Sequence, residues 1–95
     1  MAQRVAAVRD RFQARVILRA PAGELAARLT YPRGTLEPIG ADSCLLSIGG
    51  EWLDGIALYV AGIGVDFEVL EPPELVARFA VLADRFTRAA AASPP

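Results

Sequence analysis

Apolar and polar residues alternate along two segments of the chain, residues 12–20 and residues 65–70. A period of two is typical of a strand that buries one face and exposes the other. The apolar faces comprise Ala14, Val16 and Leu18 in the first segment and Val65, Phe67 and Val69 in the second. Proline follows each segment, and proline ends a strand because it has no N–H to donate to the ladder. The pattern therefore predicts strands near 12–20 and 65–70.

A hairpin is predicted between these two strands. Residues 35–39 and 44–49 flank the segment Gly40-Ala41-Asp42-Ser43, which is rich in turn-forming residues. Pro38 would interrupt a central strand, so the first strand of the hairpin is expected at an edge of the sheet. Cys44 begins the second strand, where we expect it to be a small buried hydrophobic residue.

Three segments have a helical period, and glycine or proline bounds each of them. They predict helices near 21–31, 51–61 and 73–90. In the second helix, Trp52 and Tyr59 flank the apolar stripe, and we expect both at the margin of the core.

The third helix has the longest apolar stripe, formed by Leu75, Phe79, Leu82 and Phe86. Its charged residues also follow the helical period. Glu74 with Arg78 and Asp84 with Arg88 have the i,i+4 spacing of surface ion pairs.

The predicted order β-α-β-β-α-β-α indicates an α+β fold. Its first six elements match the ferredoxin-like split βαβ arrangement, with strand order 4-1-3-2 and an additional C-terminal helix. Residues 12–90 form one such domain, residues 1–11 are interpreted as a linker or the tail of an upstream domain, and residues 91–95 as a disordered tail. The predicted core consists of Val16, Leu18, Leu25, Leu29, Leu46, Ile56, Val60, Phe67, Val69, Leu75 and Phe79.

The composition adds one expectation to the predicted fold, namely that a partner covers part of its surface. Hydrophobic residues make up 54% of the 95-residue chain. No apolar run approaches the ~18 residues needed to span a bilayer, so we expect no membrane association. The apolar excess favours a covered surface, and we predict a homodimer. The N-terminus lacks the apolar core of a signal peptide, which favours a cytoplasmic location.

The same composition limits the chemistry. A net charge of −1 argues against a nucleic-acid-binding surface, which needs an excess of positive charge. The chain has no histidine and one cysteine, so the commonest general base and the usual metal ligands are missing. We therefore expect no enzymatic activity, no catalytic residues, no metal site and no cofactor.

Arginines on the exposed side of the sheet are the candidate binding residues. Arg15 and Arg19 share a strand face, and Asp66 and Glu68 are expected to meet them from the neighbouring strand. Two interpretations stay open: neutralised ion pairs, or arginines that bind an anionic ligand or an acidic patch of another domain. Arg33, just before Gly34, is the third candidate.

One family resemblance covers most of the chain, from Phe12 to Arg88. Its most specific motif is Gly-x-Asp-Phe-x-Val-x-x-Pro-Pro-Glu-Leu at residues 64–75. Further matching positions are Ala14-Arg15-Val16 with Leu18, Ala20-Pro21, Glu37-Pro38-Ile39, Cys44-Leu45-Leu46 and Leu82-Ala83-Asp84-Arg85. With these residues the sequence resembles the C-terminal extension domain of WYL-domain transcriptional regulators, especially actinobacterial ones.

The resemblance implies a place in a larger regulator. In that family a winged-helix DNA-binding domain comes first, a WYL domain follows, and the extension comes last. The regulators are often dimeric, and a nucleotide or nucleic-acid effector is expected to act through the WYL domain. The resemblance thus implies a non-catalytic regulatory and oligomerisation module that contributes to effector sensing. The alternative is a free-standing small-ligand-binding sensor of ferredoxin-like fold.

Overall fold

A computed structural model describes residues 11–29, 34–92 and 94. Its strands and helices follow the predicted order β-α-β-β-α-β-α. They are β1 (Phe12–Leu18), α1 (Ala22–Arg28), β2 (Gly34–Gly40), β3 (Ser43–Gly50), α2 (Leu53–Gly62), β4 (Phe67–Glu71) and α3 (Pro73–Ala92).

The four strands form one antiparallel sheet in the order β2-β3-β1-β4. This is the predicted 4-1-3-2 order read from the opposite edge, and the fold is compatible with the ferredoxin-like class. Pro38 lies on the edge strand β2, as predicted, where its missing N–H costs the sheet no central hydrogen bond.

Several boundaries differ from the prediction by one to three residues. β1 ends at Leu18 and β4 begins at Phe67, and these two residues are the last pair between the strands. One further backbone hydrogen bond follows them, from the Arg19 N–H to the Asp66 carbonyl at 2.9 Å. α1 ends at Arg28, and the predicted continuation to residue 31 lies partly outside the described residues. α3 extends to Ala92, two residues beyond its predicted end.

Glycine is required where β2 begins. A Cβ atom at Gly34 would lie 1.9 Å from the backbone oxygen of Ser47 on β3, far inside van der Waals contact. The two backbones approach each other so closely that no side chain fits between them. The start of the hairpin thus depends on this one residue.

The core lies between one face of the sheet and the three helices. Its fully buried large side chains are Val16, Leu18, Leu25, Cys44, Leu46, Ile48, Ile56, Val60 and Leu75. The core prediction is confirmed for Val16, Leu18, Leu25, Leu46, Ile56, Val60 and Leu75. The prediction overestimates the burial of four residues, which pack against the core but are only half-buried: Leu29, Phe67, Val69 and Phe79. Phe67 and Val69 are less buried than predicted because β4 is an edge strand.

Candidate functional site

The open face of the sheet brings two of the candidate arginines next to carboxylates of β4. The Arg19 guanidinium lies 3.1 Å from Glu68, and the Arg15 guanidinium lies 3.5 Å from Glu71. The prediction that Glu68 meets one of these arginines is confirmed. The prediction that Asp66 meets the other is wrong, since Glu71 takes that position.

The register of the strands explains this difference. Ile17 lies opposite Glu68, whereas an irregularity between Arg15 and Val16 shifts the pairing so that Arg15 faces Glu71. Asp66 precedes β4 and contributes its backbone carbonyl to the Arg19 N–H instead. A one-residue irregularity of this kind leaves no signal in the alternation of the sequence.

Both ion pairs are exposed to solvent. The side chains of Arg15 and Glu71 are each 51% exposed, and cross-strand pairs of this kind stabilise a sheet by only ~0.2–1 kcal/mol. An anionic ligand at either arginine would have to exchange with the carboxylate already there. Ligand binding by Arg15 and Arg19 stays a prediction, and Arg33 lies outside the described residues.

Another ion pair joins α2 to α3, and sequence reasoning missed it. The Arg78 guanidinium donates two hydrogen bonds to Asp54, at 2.7 and 2.9 Å. The predicted partner, Glu74, has the correct helical spacing, but the neighbouring helix offers a carboxylate that accepts both donors of the planar guanidinium. The Asp84–Arg88 pair on α3 forms as predicted.

The geometry of this helix–helix contact shifts the pKa values of both partners. The hydrogen bonds from Arg78 lower the pKa of Asp54, and the positive charges of Arg78 and Arg85 lower it further. The same pairing raises the pKa of Arg78. The contact therefore holds one end of α2 against α3 over the whole neutral pH range.

An apolar groove runs between α2 and α3 beyond this ion pair. It encloses about 150 Å³ and is named here the α2–α3 groove. Its walls comprise Ala57, Leu58 and Ala61 from α2, Phe67 from β4, and Phe79, Leu82, Ala83 and Phe86 from α3. Leu58 is 53% exposed and Phe86 is 51% exposed, so the groove is open to an apolar partner.

α3 projects past the groove. Leu82 is the last buried residue of this helix, and every residue from Ala83 to Ala92 is exposed. Phe86 lies on the same apolar stripe as Leu75 and Phe79 and borders the groove beside Leu58 of α2, but half of it stays exposed.

Trp52 is the second exposed apolar feature. The prediction placed it at the margin of the core, and this is wrong, because 76% of the residue is exposed. Trp52 lies just before α2 and lines two open hollows of about 490 and 400 Å³. Arg11, Phe12 and Glu51 line the larger hollow. Helical spacing could not reveal this exposure, since Trp52 stands outside the helix and its direction depends on the preceding chain.

Cys44 is fully buried in β3, and desolvation raises the pKa of its thiol. The prediction of a small buried hydrophobic residue is confirmed. Within the ranges 11–29 and 34–92, no three histidine, cysteine or acidic side chains converge as a metal site would require. The helices of this described part are too short or too polar to cross a membrane.

Comparison with known proteins gives one family. The family model described as "WCX domain" matches residues 4–87, which span most of the chain. No solved structure matches the chain. The matched range includes all four strands, α1, α2 and most of α3, so the match covers the α2–α3 groove and Trp52 as well as the core.

Proposed function

The chain belongs to the WCX domain family, the C-terminal domain of WYL-containing regulators, and we propose that it is a non-catalytic regulatory and oligomerisation module of such a regulator. The family match supports the regulatory part of this proposal. The oligomerisation part rests on a separate observation, the uncovered apolar surface of α3.

The self-association surface consists of the α2–α3 groove and the projecting half of α3. Leu58 and Phe86 present about half of their area to water on neighbouring helices. Ten exposed residues of α3 extend for about 15 Å at the α-helical rise. Each copy thus offers both an apolar groove and an amphipathic helix, which are the two components of a self-complementary two-fold contact.

We also propose that the open face of the sheet contributes to effector sensing. Arg15 and Arg19 would respond to an anionic effector, or to an acidic patch of the WYL domain, by exchanging their carboxylate partners. The planar guanidinium suits such an exchange because it binds phosphate and carboxylate in the same bidentate manner.

We also propose that the module has no catalytic activity. The carboxylates that could serve as an acid–base pair, Glu68 and Glu71, are each held by an arginine on β1. These ion pairs give both carboxylates a structural role in the sheet that requires no catalysis.

Light scattering over a range of concentrations tests the oligomerisation part. We expect the mass to rise from the 10.1 kDa of one chain towards twice that value, and Phe86→Glu to prevent the rise because it places a charge in the apolar contact. Ile39→Glu is the matched control, since Ile39 is 56% exposed on β2, outside the groove. A mass that stays at one chain at every concentration would contradict self-association.

A reporter assay in the parent regulator tests the regulatory part. We expect Arg15→Gln combined with Arg19→Gln to reduce the response to the effector while promoter binding without effector is retained. Glu24→Gln is a suitable control because it removes one charge from a surface ion pair on α1. An unchanged effector response with slightly lower stability would mean that Arg15 and Arg19 serve only to form the ion pairs of the sheet.

A further inference from the structure

Trp52 has the exposure of an interface residue. At 76% it is the most exposed of the large hydrophobic side chains in the described ranges, and it lines two hollows that a partner surface could fill. Tryptophan is enriched among the residues that contribute most to protein–protein binding, because it buries a large area and loses little side-chain entropy.

The surroundings of Trp52 have the composition of a protein interface. The half-buried side chains of Phe12 and Leu53 lie beside it, and Arg11 and Glu51 form a polar rim. Among the described residues, neither Arg11 nor Glu51 forms an ion pair. An aromatic centre with a rim of both charges fits a folded protein surface better than a nucleic acid or a single small ion.

The path of the chain indicates which protein surface this is. β1 begins at Phe12, and Phe12 pairs with Gly50 at the end of β3, two residues before Trp52. Arg11, which leads into β1, forms part of the wall of the larger hollow. Any domain that precedes this one is therefore tethered at the edge of the hollow, where its effective concentration is high and a modest contact suffices.

We propose that Trp52 is the central anchor of the contact between this domain and the domain that precedes it in the same regulator. This inference rests on the proposed function, because it requires the parent regulator. The partner surface is apolar at its centre and carries charges that complement Arg11 and Glu51. Trp52 precedes α2, whereas Phe86 lies near the C-terminal end of α2. The ten-residue helix is about 15 Å long, so it separates the interdomain contact at Trp52 from the self-association contact at Phe86, and one does not block the other.

Hydrogen exchange of residues 53–55 tests the proposal, because the Ile56 N–H already donates to the Trp52 carbonyl. The first N–H groups of α2 have no acceptor within the helix, so they exchange quickly unless a partner covers them. We expect exchange in this segment to be slower by about tenfold or more in the intact regulator than in the 95-residue chain. Trp52→Ala in the intact regulator should abolish that difference. Ile39→Ala, which changes another exposed hydrophobic residue, on β2, should retain it.

Other outcomes overturn the proposal. Equal exchange in the intact regulator and the isolated chain would mean that no domain covers Trp52. Protection that grows with the concentration of the isolated chain would assign the surface to a second copy. Since the mass of the isolated chain and the effector response are measured separately, failure of this contact is distinguishable from failure of the proposed function.

Discussion

The two halves of α3 continue the same apolar stripe but meet different surroundings. In residues 73–82, Leu75 and Leu82 are buried and Phe79 packs against Phe67, with ring centroids 5.1 Å apart. In residues 83–92 no side chain is buried, although Phe86 continues the stripe. Helical period therefore specifies which face is apolar, whereas burial depends on how far the neighbouring elements extend.

The largest expected effect tests the buried half. Leu75→Ala should destabilise the domain by about 2–5 kcal/mol, because it removes a fully buried side chain and leaves a cavity between α3 and the sheet. Urea unfolding followed by circular dichroism measures the change. A loss below about 1 kcal/mol would mean that this half of α3 packs no more firmly than the other half.

A smaller, pH-dependent effect tests the ion pair that holds the buried half to α2. Because Arg78 lowers the pKa of Asp54, the pair contributes stability above the ordinary aspartate value of 3.8, and this contribution is lost as pH falls through the lowered pKa. Asp54→Asn should therefore be less stable than the wild type at neutral pH. The difference should begin to shrink as pH falls below about 4 and should vanish only below the lowered pKa of Asp54.

The matched control for this prediction is Asp84→Asn, which removes a carboxylate of an exposed pair in the projecting half. Unfolding midpoints measured from pH 2 to pH 7 give the comparison. A constant difference between Asp54→Asn and the wild type over that range would show that the charge of Asp54 is not the source of the stability.

The smallest expected effect concerns the projecting half. Phe86→Ala should change the stability of the monomer by no more than about 0.5 kcal/mol, since half of Phe86 is already in water. Unfolding at low protein concentration measures it. A loss of stability comparable with that of Leu75→Ala would mean that the projecting half of α3 is packed as firmly as the buried half.

The sequence predicted the topology well because topology follows from local periods and boundaries. Alternation identified β1 and β4, glycine and proline marked the ends of the helices, and Pro38 placed β2 at an edge. The burial of Leu75 followed from the same period. These features are local, so a single chain contains the information that they require.

The candidate surfaces were less predictable because they depend on tertiary geometry. Arg78 has a carboxylate at the helical spacing, yet it pairs with Asp54 of α2. The exposure of Trp52 depends on where the chain turns before α2, and the pairing of Arg15 with Glu71 depends on an irregular register. None of these features has a period, so the sequence pattern predicted each of them wrongly or not at all.

Gly34 has a consequence for mutational tolerance. The residue is exposed, so a ranking of positions by burial would class it among those that accept substitution freely. Every other amino acid carries a Cβ, and at this position a Cβ would collide with the Ser47 carbonyl. In a library that samples all substitutions, Gly34 should behave like a core position, and even alanine should be depleted, whereas Gly23 on α1, whose Cβ would meet nothing, should tolerate alanine.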